Sequence, residues 1–478
     1  MDKESRRVPK LILVLSLLIV ELVSHPVANS SEDFEAWIAR QSKQALHYLL
    51  QNSAQVGAKP GAVVASPSKV NPNYFYHWVR DSATDMKVIG KLYASNIELT
   101  EKAKYKRILI EFSSFSRQLQ LTPNRSGGLG EPKFNVDGTA FNGDWGRHQN
   151  DGPPTRAIAL IQFANALLAE GESEFVRAKL YDGKLPTNSV IKADLEYISH
   201  HWRETSYDLW EEVRGHHFYT RVLEKKALVR GAQLAHELGD HGAAVWYAQQ
   251  AILLENEILL HWDSQKKYIV ATRNRNAGVD YKHSGLDSSI VLAVLDAEGM
   301  GNELLAEMGK LLATVFVLES TFQKLYPINQ NSRPGIAIGR YPEDRYDGYR
   351  TDSEGNPWFL TTNSFAEFYY RLSRRFRLAG RIEISPLSVP FYQALLGLGI
   401  EIPVGHTVVS ADPLFEQIVT NLTKKGDLFL MRIWHHSNTN GTFSEQMNQR
   451  TGYMQGAPSL SLSYASFLSA AWARKNDP

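Results

Sequence analysis

The stretch S-Y-D-L-W-E-E-V-R-G-H-H-F-Y-T, residues 206 to 220, crowds three carboxylates (Asp208, Glu211 and Glu212), a tryptophan and several other aromatic rings into one short segment. Clustered carboxylates repel, and burial beside Trp210 disfavours their charged forms, so one of them can stay protonated near neutral pH. A protonated acid beside aromatic rings suits cleavage of a sugar acetal: the rings hold the sugar and the acid protonates the leaving oxygen. The plainer reading of the same residues is a helix end with a solvated acidic face. The rest of the chain has to separate the two.

Composition narrows the field. A chain of 478 residues can bury a large core as one big domain or two to three ordinary ones. With 52 basic and 51 acidic residues its net charge is +1, which gives no electrostatic case for nucleic acid or an anionic surface. The absence of cysteine excludes disulfides, thiolate catalysis and Cys-ligated zinc. Most histidines are scattered or form adjacent pairs such as His216-His217, which cannot share a helix face as ligands should, so no metal site is expected. Lys3, Arg6, Arg7 and Lys10 precede an apolar run from Leu11 to Val20. A basic flank before a short apolar run reads as a signal peptide or short membrane anchor over residues 1–28, with the remainder, 29–478, forming a single domain. Sequons at Asn29, Asn124, Asn421 and Asn440 fit the same secretory route.

Helical spacing dominates the rest. It predicts helices over Ser31–Leu50, after Tyr74–Ser82, and then over Thr155–Glu170, Ile191–Glu204, Val222–Leu238, Ala243–His261, Asp287–Leu295, Glu303–Leu318, Trp358–Leu378, Leu387–Leu398, Pro413–Asn421 and Ser459–Trp472. Strand-like runs are scarce, and no glycine-rich dinucleotide fingerprint opens a helix. The region from Pro123 to Pro154 is a long Gly/Asn/Pro-rich loop, and loops of that length in compact domains are usually functional. The chain reads as one all-α domain with long loops.

Four further segments concentrate Arg, Asp, Trp and Gly: Tyr74–Ser82 (Y-F-Y-H-W-V-R-D-S), Gly130–Pro153 (including G-E-P-K-F-N and D-W-G-R), G-R-Y-P-E-D at 339–344 followed by N-P-W-F-L at 356–360, and F-S-E-Q-M-N at 443–448. With D-L-W-E-E, in this order and spacing, the chain resembles the fungal glucoamylases of glycoside hydrolase family 15, from about Phe34 to Trp472. It looks most like the short yeast type that lacks a separate starch-binding domain. The resemblance implies an (α/α)6 barrel with active-site loops, and an inverting exo-hydrolase that releases glucose from non-reducing ends of α-1,4-glucans such as starch, glycogen and maltooligosaccharides. It implies no cofactor.

Carried over by motif, Glu211 is the general acid and Glu445 the general base. Inversion requires a water between them, hence a separation of roughly 6.5–9.5 Å. Asp208 also belongs to the catalytic group. Three residues from Glu211 on one turn, it is expected on the acid's side of the sugar, orienting or tuning Glu211 rather than acting as base. Arg80 and Asp81 should clamp the hydroxyls of the terminal glucose, Tyr74 should stack on its ring, and Trp145 should pack near the scissile bond. Trp210 backs the pocket, and Glu212 and Arg340 bind hydroxyls. Asn135, Asp137 and Pro342 read as loop architecture. Two departures stand out. Leu462 occupies the place of a tryptophan usual near the base, and Asp144 stands where a small residue is usual, either raising the pKa of Glu211 or pointing to water.

Two alternatives remain: a silent glucan-binding relative, whose mark would be loss of Glu211 or Glu445, and a same-fold hydrolase for another α-glucoside. The expected partner is an α-glucan, with no nucleic acid and a monomeric state; the expected location is secreted or vacuolar. Soluble oligosaccharides, dextrins or glycogen ends are expected in preference to raw granules.

Overall fold

Inner and outer helices alternate along the chain. The computed structural model describes residues 33–95, 98–297, 308–330, 334–397 and 399–475. Among these, six helices form a closed ring. Val79–Ala94 packs on Gly152–Ala169, which packs on Phe218–Glu237, then Ser289–Ala297, Phe359–Ala379 and Ser461–Arg474, and the last returns to Val79–Ala94. Six others, Phe34–Asn52, Leu99–Leu121, Val190–His201, His241–Leu259, Met308–Leu325 and Pro413–His436, lie in chain order before or between them. Five of these outer helices have an inner one as a neighbour, and Met308–Leu325 lies against the 268–269 strand and Val389–Leu396. This alternation is the (α/α)6 barrel.

Side-chain pattern separates the two layers. Phe359–Ala379 buries Phe359, Phe365, Phe368, Tyr369, Tyr370 and Phe376 together with Thr361, Asn363 and Ser364, so hardly any face meets water. Its outer neighbour Pro413–His436 buries one stripe, Phe415, Ile418, Val419, Leu422, Phe429, Leu430 and Ile433, at the three- and four-residue spacing of a half-wetted helix. That helix starts where Asp412 accepts the Leu414 N–H at 2.8 Å, with Pro413 supplying a pre-set first turn. It runs fifteen residues beyond the predicted end at Asn421. The polar run Lys424-Lys425-Gly426-Asp427 hides the continuation, and Gly426 is needed there: a Cβ would stand 2.6 Å from the Tyr370 ring.

Leu99–Leu121 escaped the sequence reading. Its charged first half and buried serines (Ser113 and Ser116) dilute the apolar stripe of Tyr105, Leu109, Phe112 and Leu119. The remaining predicted helices fall within four residues of the observed ones, except Glu303–Leu318, whose start lies outside the described residues and whose helix continues seven residues further, to Leu325; the predicted leader also lies outside the described residues. No described helix is long and apolar enough to cross a membrane.

Short antiparallel strands sit at one end of the ring, before the inner helices. His77–Trp78 pairs with Lys133–Phe134, Ser206–Tyr207 with Val213–His217, and Ser444–Met447 with Met454–Pro458. They carry the incoming chain to three of the six inner helices. That end of the barrel holds the residues of interest.

Candidate active site

Loops entering five of the six inner helices, with Leu292 and Asp296 of Ser289–Ala297, line one cavity of about 560 Å3, within the range of small-ligand sites. Its walls include Tyr74, Arg80, Asp81, Trp145, Trp210, Glu211, Glu212, Arg340 and Glu445. Nine of the ten predicted site residues therefore share one pocket. The tenth, Asp208, lies beneath it.

The acidic segment is a tight turn between two strands, so neither a helix end nor a solvated acidic face is present. Glu211 N–H donates to the Asp208 carbonyl at 2.8 Å, and Glu211 sits at φ +69°, a left-handed conformation that costs a non-glycine residue strain. Asp208 holds the turn in that shape. Its carboxylate accepts the N–H groups of Glu212 and Val213 at 2.8 and 3.0 Å and pairs with Lys282 at 3.0 Å. Burial alone would raise its pKa, but Lys282, His217 and the two N–H donors bring it down to about 2. Lys282 also pairs with Asp287 at 2.7 Å, and Asp287 accepts the Trp210 indole N–H at 3.0 Å. One buried network thus fixes both the turn and the tryptophan within it.

Glu211 projects into the cavity with one oxygen occupied. Its Oε1 accepts from the Trp78 indole at 2.9 Å and from Gln149 Nε2 at 3.2 Å, and Arg80 approaches it at 3.6 Å. An oxygen facing three donors serves as acceptor, which leaves Oε2 as the oxygen available to a ligand. Arg80 is itself anchored by Asp81, Gln149 and Asp151 at 3.1, 3.0 and 3.1 Å. Burial works against the Arg80 charge, yet Asp151, Asp81 and Glu211 keep it protonated. Asp81 is pushed up to about 6 by burial, with Arg80 opposing.

Glu445 is 1% exposed and lies in the strand Ser444–Met447. Two phenols face it: Tyr74 donates to Oε1 at 2.9 Å and Tyr346 to Oε2 at 3.2 Å. Burial raises its pKa to about 7, with Tyr74, Arg340 and Tyr346 opposing. Glu211 and Glu445 share no hydrogen-bond partner. Glu212, next to Glu211 in the chain, is bonded by Arg340 at 2.8 Å and the Tyr341 hydroxyl at 2.6 Å. Asp344 holds Arg340 through both Nε and Nη2, at 2.8 and 2.6 Å. Burial shifts Glu212 upward, Arg340 and Lys282 opposing.

The D-W-G-R tract forms a loop over the cavity, its Trp145 37% exposed. Gly146 permits the close approach, since a Cβ there would stand 2.6 Å from the Glu211 carbonyl oxygen. Asp144 turns its side chain fully to solvent and pairs with Arg125 at 3.1 Å. Leu462 lines the cavity beside Leu460 and Glu445. Asn135 and Asp137 bond Thr139 and the backbone around it, and Pro342 lines a separate surface recess.

Sequence reading missed several functional positions. Trp78, Gln149, Asp151 and Trp358 lie inside the quoted segments and were passed over for their neighbours. Tyr341 was likewise passed over inside G-R-Y-P-E-D, while Lys282, Asp287 and Tyr346 carry no local signal, because their roles exist only across the barrel mouth. Among the described residues, no group of three or more His, Cys, Asp or Glu could hold a metal ion.

Comparison with known proteins points to one family. The family described as glycosyl hydrolases family 15 matches residues 42–472. A glucoamylase of Blastobotrys adeninivorans is 39% identical over 460 residues, covering 94% of this chain and 73% of that protein. A probable glucoamylase of Schizosaccharomyces pombe is 33% identical, with 97% of each chain covered. Among solved structures, the glucoamylase from Saccharomycopsis fibuligera superposes with a TM-score of 0.83 at 31% identity, covering 94% of this chain and 98% of that one.

Proposed function

Because the chain belongs to glycosyl hydrolase family 15, we propose that its exo-acting hydrolysis of α-1,4-glucans runs by inversion, with Glu211 as general acid and Glu445 as general base. The enzyme is a glucan 1,4-α-glucosidase that frees glucose from chain ends. The observation that carries the assignment is the contrast in hydrogen bonding. Glu211 presents one oxygen to the cavity while Trp78 and Gln149 occupy the other, whereas both oxygens of Glu445 are held in place by phenols.

In this reading the terminal glucose is clamped by Arg80 and Asp81 and lies against Tyr74. Glu211 passes its proton to the glycosidic oxygen as the C1–O bond breaks. A water on the opposite face attacks C1 and gives its proton to Glu445, leaving β-glucose and a shortened chain. Asp208 is a positioning residue that holds the acid's turn, while Trp210, Trp145, Glu212 and Arg340 shape and bind the sugar around the scissile bond. The protein acts as a monomer on the secretory route, either secreted or vacuolar, with residues 1–28 as its leader.

Proton NMR of maltotetraose digestion tests the chemistry. β-Glucose as the first anomer, together with near-dead Glu211→Gln and Glu445→Gln, supports it. α-Glucose as the first anomer sinks inversion. Wild-type protein that binds but releases nothing would favour a silent binder.

A further inference from the structure

The strand pairing of Trp78 with Lys133 sets a lysine inside a box of aromatic rings. Its ammonium lies 3.6 Å from the ring centroid of Trp145, 4.1 Å from Phe141, 4.3 Å from Tyr76 and 4.5 Å from Trp78. Lys133 is 3% exposed, and among the described residues its ammonium makes no ion pair or hydrogen bond. A desolvated cation with ring faces in place of a paired carboxylate is held mainly by the ring quadrupoles.

The loop that brings two of those rings is pinned through its backbone. Arg147 donates to the carbonyls of Phe141 and Gly143 at 2.7 and 2.8 Å and bonds Glu131 at 2.8 Å, while Arg125 reaches the Asn142 carbonyl at 2.8 Å. These contacts fix where the loop runs and leave the Trp145 side chain unfixed. The indole meets Phe141 and Trp78 edge to face at 5.9 and 6.0 Å and is otherwise partly open to solvent. The Lys133 ammonium, 3.6 Å from its ring centroid, is the contact on its face. Trp78, a second wall of the box, donates to Glu211, so the box adjoins the acid and hence the leaving side of the scissile bond.

We propose that Lys133 is a positioning residue whose charged ammonium orients Trp145 as the wall for the sugar units on the leaving side of the scissile bond. This rests on the reading of the cavity as a glucan site. Neutralising the lysine frees the indole, and a longer ligand must then order it on binding. The charged groups acting on Lys133 are Glu211 on the neighbouring turn and Arg147 on its own loop. Burial lowers the lysine to about 8, Glu211 opposing and Arg147 adding to the fall. The clamp is therefore complete below pH 8 and is lost as pH rises through that value.

The test is calorimetric binding of a non-hydrolysable S-linked maltotriose and of 1-deoxynojirimycin, a single-ring glucose mimic, to wild type and Lys133→Met. At pH 6 the variant should bind the trisaccharide roughly three- to tenfold more weakly and the single ring nearly as well as wild type. Between pH 6 and 9 both proteins share the titration of Glu445, but wild type should lose roughly a further three- to tenfold of trisaccharide affinity around pH 8, a step the variant lacks. Equal loss of both ligands, or unchanged trisaccharide binding, overturns the proposal. Should the variant fail to fold, the wild-type transition decides: its absence overturns the idea. If neither ligand binds wild type, the glucan reading itself fails, a separate outcome.

Discussion

Two carboxylates face one cavity from opposite kinds of surroundings. The turn bearing Glu211 rests on ions: Asp208 between Lys282 and two backbone N–H groups, Lys282 between Asp208 and Asp287, and Arg80 among three acidic groups. The strand bearing Glu445 rests on neutral groups, the phenols of Tyr74 and Tyr346. The difference teaches how one site can run acid and base chemistry together. Fixed charges hold a strained turn in place so that its acid keeps one geometry. Neutral donors and burial leave the base with a pKa near its working range, where it can take a proton and return it.

The largest effect should come from removing the two carboxylates themselves. Glu211→Gln and Glu445→Gln should each lower kcat/KM on maltotetraose by about 10²–10⁴. They should diverge in stability. The Glu445 pKa is raised from 4.5 to about 7 in the fold, so its contribution is fully present below pH 4.5 and lost as pH climbs through 7. Glu445→Gln should therefore be more stable than wild type at pH 8, on the order of 3 kcal/mol in denaturant unfolding, and the gap should close by pH 4.

Asp208→Asn should behave in the reverse sense. Asp208 is lowered from 3.8 to about 2, so its contribution is present above pH 3.8 and lost as pH falls through 2. Breaking its buried pair with Lys282 should cost about 3–5 kcal/mol at pH 6. It should also lower kcat, because the Glu211 turn loses its clamp. An Asp208→Asn protein as stable as wild type at pH 6 would break the contrast.

Tyr74→Phe sharpens it from the other side. Tyr74 favours the Glu445 anion, so its loss should move the acid limb of kcat/KM to higher pH, by roughly one unit, with a smaller change on the alkaline limb. The smallest effect belongs to Asp144→Asn. Its carboxylate is in water, paired with exposed Arg125, and such pairs contribute about 0–1 kcal/mol; pH–rate profiles should move less than the scatter between replicates.

Helix count and the loop positions of the key residues were legible because apolar spacing and Gly/Pro/Asn content are local properties. The pocket residues were legible only as a set, since five short segments coincide in order and type. Leu99–Leu121 was not legible, because its buried face uses serine, nor was the length of Pro413–His436, because packing against Tyr370 overrides a polar run. The turn at Asp208–Glu212 reads as helical in sequence, where three-residue spacing mimics one helical turn; the strands on either side decide otherwise.

The sequence by itself determined the family, the helical class, and the presence of an acid and a base, because these depend on which side chains exist and how they repeat. Only the tertiary structure decided that Glu211 has one oxygen free, that Asp208 sits below the pocket with Lys282, that Tyr346 meets Glu445, and that four rings from two stretches of chain close around Lys133. Those facts are distances between residues far apart in the chain, and such distances exist only once the ring of inner helices has closed.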